Sequence, residues 1–316
     1  MKIVIDSHIP FIAEAVQNEW PGVYIFSMKS EEIDAKAVRD ADVLVVRTRT
    51  KINEALLAGS KVQLVCTATI GFDHIDTAYC EAHGIRWMSC PGCNAQAVCD
   101  YIEEALEELR GESLEVRVLG IVGVGHVGSK VAKMAERKGY EVLLNDPPKG
   151  IGVSLDFIAQ ICDIITFHVP LDETTYHLCD AAFLSQCKPG AVIINAARGG
   201  VVDEKALLAS GHPFILDTWE NEPHINPEVL VKARLASMHI AGYSVEGKRN
   251  ASQMCLDAVA EQFGLKPIDI TELGNDVITT KKGDSAPGWL NRISDSLKAQ
   301  PTAFEALRTA YPLREG

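Results

Sequence analysis

No stretch of the 316-residue chain approaches the ~18 apolar residues of a membrane span, and Asp6 and His8 stand where a secretory leader would carry its apolar core. No membrane partner and no targeting segment are expected, and a cytoplasmic location follows by default. Clusters of Lys and Arg are missing too. With 30 basic residues against 43 acidic and a net charge of −13, a nucleic-acid or anionic-membrane surface is excluded. A small anionic substrate is not, because a local arginine cluster outweighs a distant field. A disulfide framework is also lacking. The nine cysteines are odd in number and scattered through apparent strands and helices (Cys66, Cys99, Cys162, Cys255), which fits buried reduced thiols. Cys90-Pro91-Gly92-Cys93 is a CxxC, but no second CxxC or close His pair completes a metal site. It reads as a connecting turn, and no metal is expected. What remains, 47% hydrophobic and 23% charged, is an ordinary globular composition, and the length asks for about two domains.

The first 90 residues alternate strand and helix. Lys2–Asp6, Val23–Phe26, Val43–Val46, Gln63–Cys66 and Ile85–Met88 read as strands, with helical patterns near Ile9–Trp20, Glu31–Ala41, Ile52–Ala58 and His74–His83. That is a βαβ rhythm, hence a parallel sheet covered on both faces, and it contains no glycine-rich phosphate turn. A longer helix, Ala95–Arg110, follows the 90–94 turn. Its Ile102, Ala105, Leu106 and Leu109 face a core, and Glu103, Glu104, Glu107 and Glu108 read as its solvated face. A second βαβ series runs from Val116 to about Met238, with strands near Asp163–Phe167, Ala191–Asn195, Phe214–Leu216 and Leu235–Met238. One long helix, Val245–Phe263, closes it. Beyond Gly264 the rhythm stops. The tail is broken at Gly274, Gly283, Pro287 and Gly288, carries a helix at Ala303–Ala310 and is too small for its own core, so it is expected to dock, to oligomerise or to be partly disordered.

The most informative motif opens the second series. Val116–Val122 reads as a buried β-branched strand, followed at once by Gly123, Gly125 and Gly128, a helix over His126–Lys138 and a strand over Tyr140–Asn145. The glycines supply a tight turn, close approach of a pyrophosphate to backbone N–H groups and close helix–strand packing, and the helix dipole faces the phosphates. His126 and Val127 lie in the same turn and are counted with the cofactor contacts. Asp146, 18 residues beyond Gly128, is placed to accept from adenosine ribose hydroxyls and to repel a 2′-phosphate, so NAD is expected over NADP.

Such a cofactor needs a proton-transfer group and a cation for the substrate's acid, and doubly wound sheets gather these at the carboxyl ends of strands. Arg198 follows the strand ending at Asn195, flanked by small residues. Asp217-Thr218-Trp219-Glu220-Asn221-Glu222-Pro223 follows the strand ending at Leu216, and His239 follows Met238. Read singly, a histidine at a strand end is most simply a structural hydrogen-bond partner and an acidic loop a solvated one. His126 and His168 also lie near the cofactor turn.

Taken together, Gly123–Gly128, Asn195-Ala-Ala-Arg198-Gly, Asp217-Thr-Trp-Glu-Asn-Glu222-Pro and His239-Ile-Ala-Gly resemble the D-2-hydroxyacid dehydrogenases. Val46–Lys51, Thr67–His74, Pro91–Ala95 and His239–Lys248 are similar to one branch of them, the erythronate-4-phosphate dehydrogenase family, over about residues 1–265 and again at Phe304–Arg314. The resemblance implies an α/β fold of two doubly wound parallel-sheet domains with a short C-terminal appendage. A flavodoxin-like substrate domain is made of 1–93 and 239–265, a Rossmann NAD domain of 94–238, and 266–316 is a dimerisation tail, shorter in its middle than in longer members. The active site lies in the cleft between the domains, and the protein is a homodimer. It implies oxidation of a small phosphorylated hydroxy acid, 4-phospho-D-erythronate, at C2 in pyridoxal 5′-phosphate synthesis. Arg198 grips the carboxylate, His239 is the base and Glu222 orients it. Asp146, Thr166, Ala196, Asp217 and Gly242 contact NAD, and Thr48, Thr69 and Tyr243 contact substrate. For the phosphate dianion, Arg47 and Arg49 alternate behind Val43–Val46 and would point the same way in an extended segment, Arg47 lying nearer the strand. The bland alternative is that each forms a surface ion pair. Two other activities remain open at this point: oxidation of another acid such as phosphoglycerate or glycerate, and a non-catalytic NAD-sensing module.

Overall fold

The computed structural model describes residues 1–111, 118–271 and 288–314. Val116 and Arg117 of the expected strand, and Gly274, Gly283 and Pro287 of the tail, lie outside the described residues. Two compact units divide the chain: Met1–Asn94 with 244–271, and Ala95–Tyr243 with 288–314.

The first unit is a five-stranded, all-parallel sheet in the order β2-β1-β3-β4-β5, with β1 Lys2–Asp6, β2 Tyr24–Met28, β3 Val43–Val46, β4 Leu64–Thr67 and β5 Arg86–Met88. This is the flavodoxin-like order, and its direction reverses between β1 and β3. The two-residue period of the strands splits the core cleanly. Ile3, Ile5, Val43, Val45, Leu64 and Cys66 pack on one face, against Ile12 and Val16 of α1 (Ile12–Glu19) and Ala251, Cys255 and Val259 of the long helix Val245–Phe263, α11 in chain order. Val4, Leu44, Val46 and Val65 pack on the other, against α2 (Ala35–Val38), α3 (Glu54–Leu57) and α4 (Thr77–Ala82). The helix expected over Glu31–Ala41 is broken, because the Asp34 carboxylate accepts from Ala37 N and starts α2 afresh after a separate 3₁₀ turn.

The second unit holds seven strands in the order β12-β11-β10-β9-β6-β7-β8: β6 Val118–Val122, β7 Glu141–Asp146, β8 Ile151–Gly152, β9 Ile164–Phe167, β10 Val192–Asn195, β11 Phe214–Leu216 and β12 Leu235–Ala236. All pairings are parallel except that of the short edge strand β8 with β7. Helices α5 (Ala95–Gly111), α6 (Gly128–Arg137), α7 (Leu155–Ile161), α8 (Ala181–Gln186), α9 (Glu204–Ser210) and α10 (Pro227–Lys232) cover it. The strand order reverses between β6 and β9, so the crevice beyond their carboxyl ends is the default ligand position.

Two features differ from the expected organisation. The tail contains a further helix, α12 (Trp289–Ala299), before α13 (Phe304–Ala310), and both join the second unit's core through Trp289, Leu290, Leu297 and Phe304. Trp289 meets Tyr101 edge-on at 5.9 Å, and Ser294 Oγ accepts from Ala236 N. Of the α5 glutamates expected on a solvated face, Glu104 and Glu108 meet the tail, while Glu103 and Glu107 keep 37% and 45% side-chain exposure. Glu104 accepts from Gly288 N, Glu108 from the Asn291 side chain, and Lys138 bridges Glu103 and Glu107. The second difference is the boundary, which falls at 243/244 and not at 238/239. Residues 239–241 stay with the second unit because Asp217 and Arg314 hold them: Asp217 accepts from Ile240 N and Ala241 N, and Arg314 donates to the Ala241 carbonyl.

Candidate active site

The glycine turn sits at the β6/β9 reversal. Gly123 adopts φ 91°, and a Cβ there would lie 2.7 Å from the His168 carbonyl carbon, at the end of β9. A Cβ on Gly128 would lie 1.9 Å from the Gly123 oxygen. These two positions therefore need glycine for backbone conformation and close approach. At Gly125, by contrast, a Cβ would meet nothing within 4 Å, so the middle glycine leaves one side of the turn open for a ligand to approach the backbone. No side chain caps the start of α6, whose positive dipole end is the part of the turn suited to phosphates. Asp146 ends β7. Its Oδ2 accepts from Val124 N at 2.9 Å and lies 3.3 Å from Lys149 Nζ, which ties the acid to the glycine turn. The arrangement fits a dinucleotide. Of the other expected contacts, His126 is exposed, Val127 and Gly242 are half-buried, Ala196 is buried, and buried Thr166 places its hydroxyl 3.1 Å from His168 Nε2. Burial pushes the His168 imidazole down to about 3, which makes it a poor proton acceptor near neutrality.

Arg198 follows β10 on a turn built by the buried Asn195 side chain. Asn195 Nδ2 donates to the Arg198 carbonyl at 2.9 Å, and Asn195 Oδ1 accepts from Ala197 N at 3.0 Å. The next residue must be small, since a Cβ on Gly199 would lie 1.9 Å from the Trp219 oxygen. The loop of Arg198 and the loop of Glu222 thus touch backbone to backbone.

His239 adopts left-handed backbone, φ 56°, and lies with Nδ1 2.8 Å from Glu222 Oε2. Glu222 Oε1 accepts from Trp219 N at 2.9 Å. Burial drives the Glu222 carboxyl up, but the His239 hydrogen bond and charge outweigh it, so the group stays below its ordinary value and ionised. Asp217, only 1% exposed, holds the His239 loop. Its backbone carbonyl accepts from His239 N, and its carboxylate accepts from Ser237 Oγ (2.7 Å), Ile240 N (2.8 Å) and Ala241 N (2.9 Å). The Asp217 side chain is thus a buried anchor of the loop that carries His239.

Tyr243 closes this loop, with its carbonyl accepting from Arg314 N and its ring 5.7 Å from the Arg308 guanidinium. The remaining substrate candidates belong to the first unit. Thr48 is exposed, and Thr69 Oγ1 pairs with Thr67 Oγ1 at 2.6 Å and donates to the Gly71 carbonyl at 3.1 Å. Residues 47–50 form a turn, Thr50 N donating to the Arg47 carbonyl, so the extended register that would align Arg47 with Arg49 is absent. Arg47 instead donates from Nε to the fully buried Asp6 at 2.9 Å. Together with His8 and Lys248 it lines a small recess at the carboxyl ends of β1 and β3, the reversal point of that sheet. Sequence reading passed over Asp6 and Lys248. An acid ending a strand was the available signal for the first, and the second carries none without the fold. Cys90 and Cys93 are buried. Cys90 Sγ donates to the Thr67 and Ala251 carbonyls, and burial pushes the Cys93 thiol up to about 12, so Cys93 is not a reactive thiolate. Among the described residues no acid, His and Cys cluster suits a metal ion, and no helix is long and apolar enough to cross a membrane.

Residues 95–241 match the NAD-binding domain model of the D-isomer specific 2-hydroxyacid dehydrogenases. Over an alignment of 338 positions, gaps included, the chain is 44% identical to an erythronate-4-phosphate dehydrogenase of Bacteroides fragilis, covering 99% of this chain and 97% of that one. The chain belongs to the erythronate-4-phosphate dehydrogenase family. A Bacteroides thetaiotaomicron member is 43% identical with the same coverage. Among solved structures, the NAD⁺-bound 3-phosphoglycerate dehydrogenase of Entamoeba histolytica superposes with a TM-score of 0.69 at 26% identity, covering 85% of this chain and 98% of that one. The protein is an NAD-dependent oxidoreductase of the 2-hydroxyacid dehydrogenase type.

Proposed function

We propose that the protein oxidises 4-phospho-D-erythronate at C2 to 2-oxo-3-hydroxy-4-phosphobutanoate, on the route to pyridoxal 5′-phosphate. The near full-length identity to relatives of that name supports the substrate. The observation that carries the chemistry is the contact between His239 Nδ1 and Glu222 Oε2. With Nδ1 committed to a carboxylate, Nε2 of the neutral ring is the nitrogen available to take the C2 hydroxyl proton. Glu222, ionised, then stabilises the imidazolium. Arg198 holds the substrate carboxylate and the C2 oxygen, its planar guanidinium matching both. NAD, when bound, accepts the hydride that leaves C2. The backbone of Gly123–Gly128 and the N-terminus of α6 hold its pyrophosphate, and Asp146 holds the adenosine ribose, with Thr166, Ala196, Asp217 and Gly242 beside it. Arg47, whose Nε donates to Asp6, receives the substrate phosphate, and Thr48, Thr69 and Tyr243 are further substrate contacts.

The same reading takes the protein as a cytoplasmic homodimer, supported by the likeness of residues 304–314 to the end of a dimerisation segment. Sedimentation at micromolar concentration tests the dimer. The enzymatic reading is tested by NAD reduction with the phosphorylated acid. Absence of turnover with any 2-hydroxy acid, alongside NAD binding, would favour a sensing module instead.

A further inference from the structure

We propose that Glu204 is a positioning residue for the Glu222–His239 pair, holding the loop that carries Glu222 against the loop that carries Arg198. The proposal rests on the reading of Glu222 and His239 as the proton-transfer pair.

Glu204 opens α9, immediately after the turn that follows Arg198. Its Oε1 accepts from Glu220 N at 2.8 Å, and in return Glu220 Oε2 accepts from Glu204 N at 3.3 Å. One residue earlier, Trp219 N donates to Glu222 Oε1. Two consecutive N–H groups of the Glu222 loop are therefore held by two carboxyl groups: Glu222 itself, and Glu204 from the neighbouring loop. The close passage of Gly199 beneath the Trp219 oxygen puts the loops in contact, and Glu204 is the polar link between them. Residues 217–226 belong to no helix or strand, so regular backbone hydrogen bonding does not set the position of the Glu222 loop.

The surroundings of Glu204 are acidic. It is 4% exposed and faces Glu220, whose other oxygen is 2.8 Å from His177 Nε2, with Asp203 3.7 Å from His177 Nδ1. Beyond lies Glu222 with His239, and the Arg308 charge acts on Glu222. Burial, opposed by the Glu220 N–H and aided by the charges of Glu220 and Glu222, pushes the Glu204 carboxyl up to about 7. It is a neutral acid on the acid side of neutrality, where a glutamine would make the same acceptor bond. Above that range its charge adds to that of Glu222 beside the proton-transfer pair, which a glutamine cannot do.

The test uses the full chain with NAD and 4-phospho-D-erythronate, comparing Glu204→Ala, Glu204→Gln and His239→Ala for kcat, KM, NADH affinity by fluorescence, and the pH dependence of kcat. Glu204→Ala is expected to lower kcat by about 10- to 100-fold, the scale of a misplaced catalytic group, with KM and NADH affinity within about threefold. Glu204→Gln is expected to restore kcat at neutral pH to within about threefold, and to move the rising limb of the kcat profile to lower pH. A wild-type kcat in Glu204→Ala, a glutamine variant as slow as the alanine one, or a parallel loss of NADH binding would overturn the proposal. If Glu204→Ala does not fold, an unmoved limb in Glu204→Gln overturns it. Full turnover in His239→Ala removes the proton-transfer pair itself and so identifies failure of the underlying reading.

Discussion

His239 Nδ1 lies 2.8 Å from Glu222 Oε2, and this contact orients an imidazole whose own backbone is held in the left-handed region. Single-site changes separate its two parts. His239→Ala should lower turnover by about 10²–10⁴-fold, the scale of lost general acid–base catalysis, with NADH affinity retained. Glu222→Gln keeps the shape but removes the charge that stabilises the imidazolium, and should cost about 10- to 100-fold in kcat with a smaller change in KM. Wild-type rates in either variant would place the base elsewhere.

Asp146 joins the ribose side of the proposed NAD site to the glycine turn through Val124 N. Asp146→Ala should weaken NAD binding and erode the preference for NAD over NADP by about 10-fold or more, because the repelling carboxylate is gone and about 1.4 kcal/mol corresponds to each decade. Steady-state kinetics with both cofactors measures it. An unchanged ratio would mean that Asp146 does not face the ribose.

His168 contributes a pH dependence to stability. Burial lowers its native-state value to about 3 from 6.5, so between these values the unfolded chain binds the extra proton. The sign follows directly: stability rises with pH through this window and is lost as the pH falls from 6.5 toward 3. His168→Gln removes the titration, and the variant should lose less stability than the parent on going from pH 7 to pH 5, by about 1–2 kcal/mol. Urea unfolding at the two pH values checks this. Equal losses in both proteins would show that His168 protonates freely in the native state.

Much of this organisation is legible in the chain because it is carried by local periodicity. The alternating faces of Val43–Val46, the glycines at 123, 125 and 128 and the acid at 146 each express a backbone requirement that residue type alone reveals. The rest depends on long-range partners. Asp217 reads in the sequence as one acid of an acidic loop, and only the fold shows its carboxylate accepting from Ser237, Ile240 and Ala241. Arg47 and Arg49 follow a strand, yet the chain turns at Arg47, and Asp6 from the adjacent strand claims its guanidinium. Glu204 looks like a common first-turn helix acid. Its burial against the 219–222 loop has no sequence signature. The helix at Trp289 was hidden because its apolar face is completed by α5 and β12, far away in sequence.

The central claim is the phosphorylated substrate, and it is tested most directly by kcat/KM for 4-phospho-D-erythronate against unphosphorylated D-erythronate, followed as NADH absorbance, in the parent and in Arg47→Met. A phosphate held by a bidentate-capable arginine is worth about 1.5–3 kcal/mol as a charge-assisted hydrogen bond, so the parent should prefer the ester by at least about 10-fold. Arg47→Met should raise KM for the ester by a similar factor while leaving the unphosphorylated acid nearly unchanged. A parent enzyme that uses erythronate as well as its phosphate ester would contradict the account.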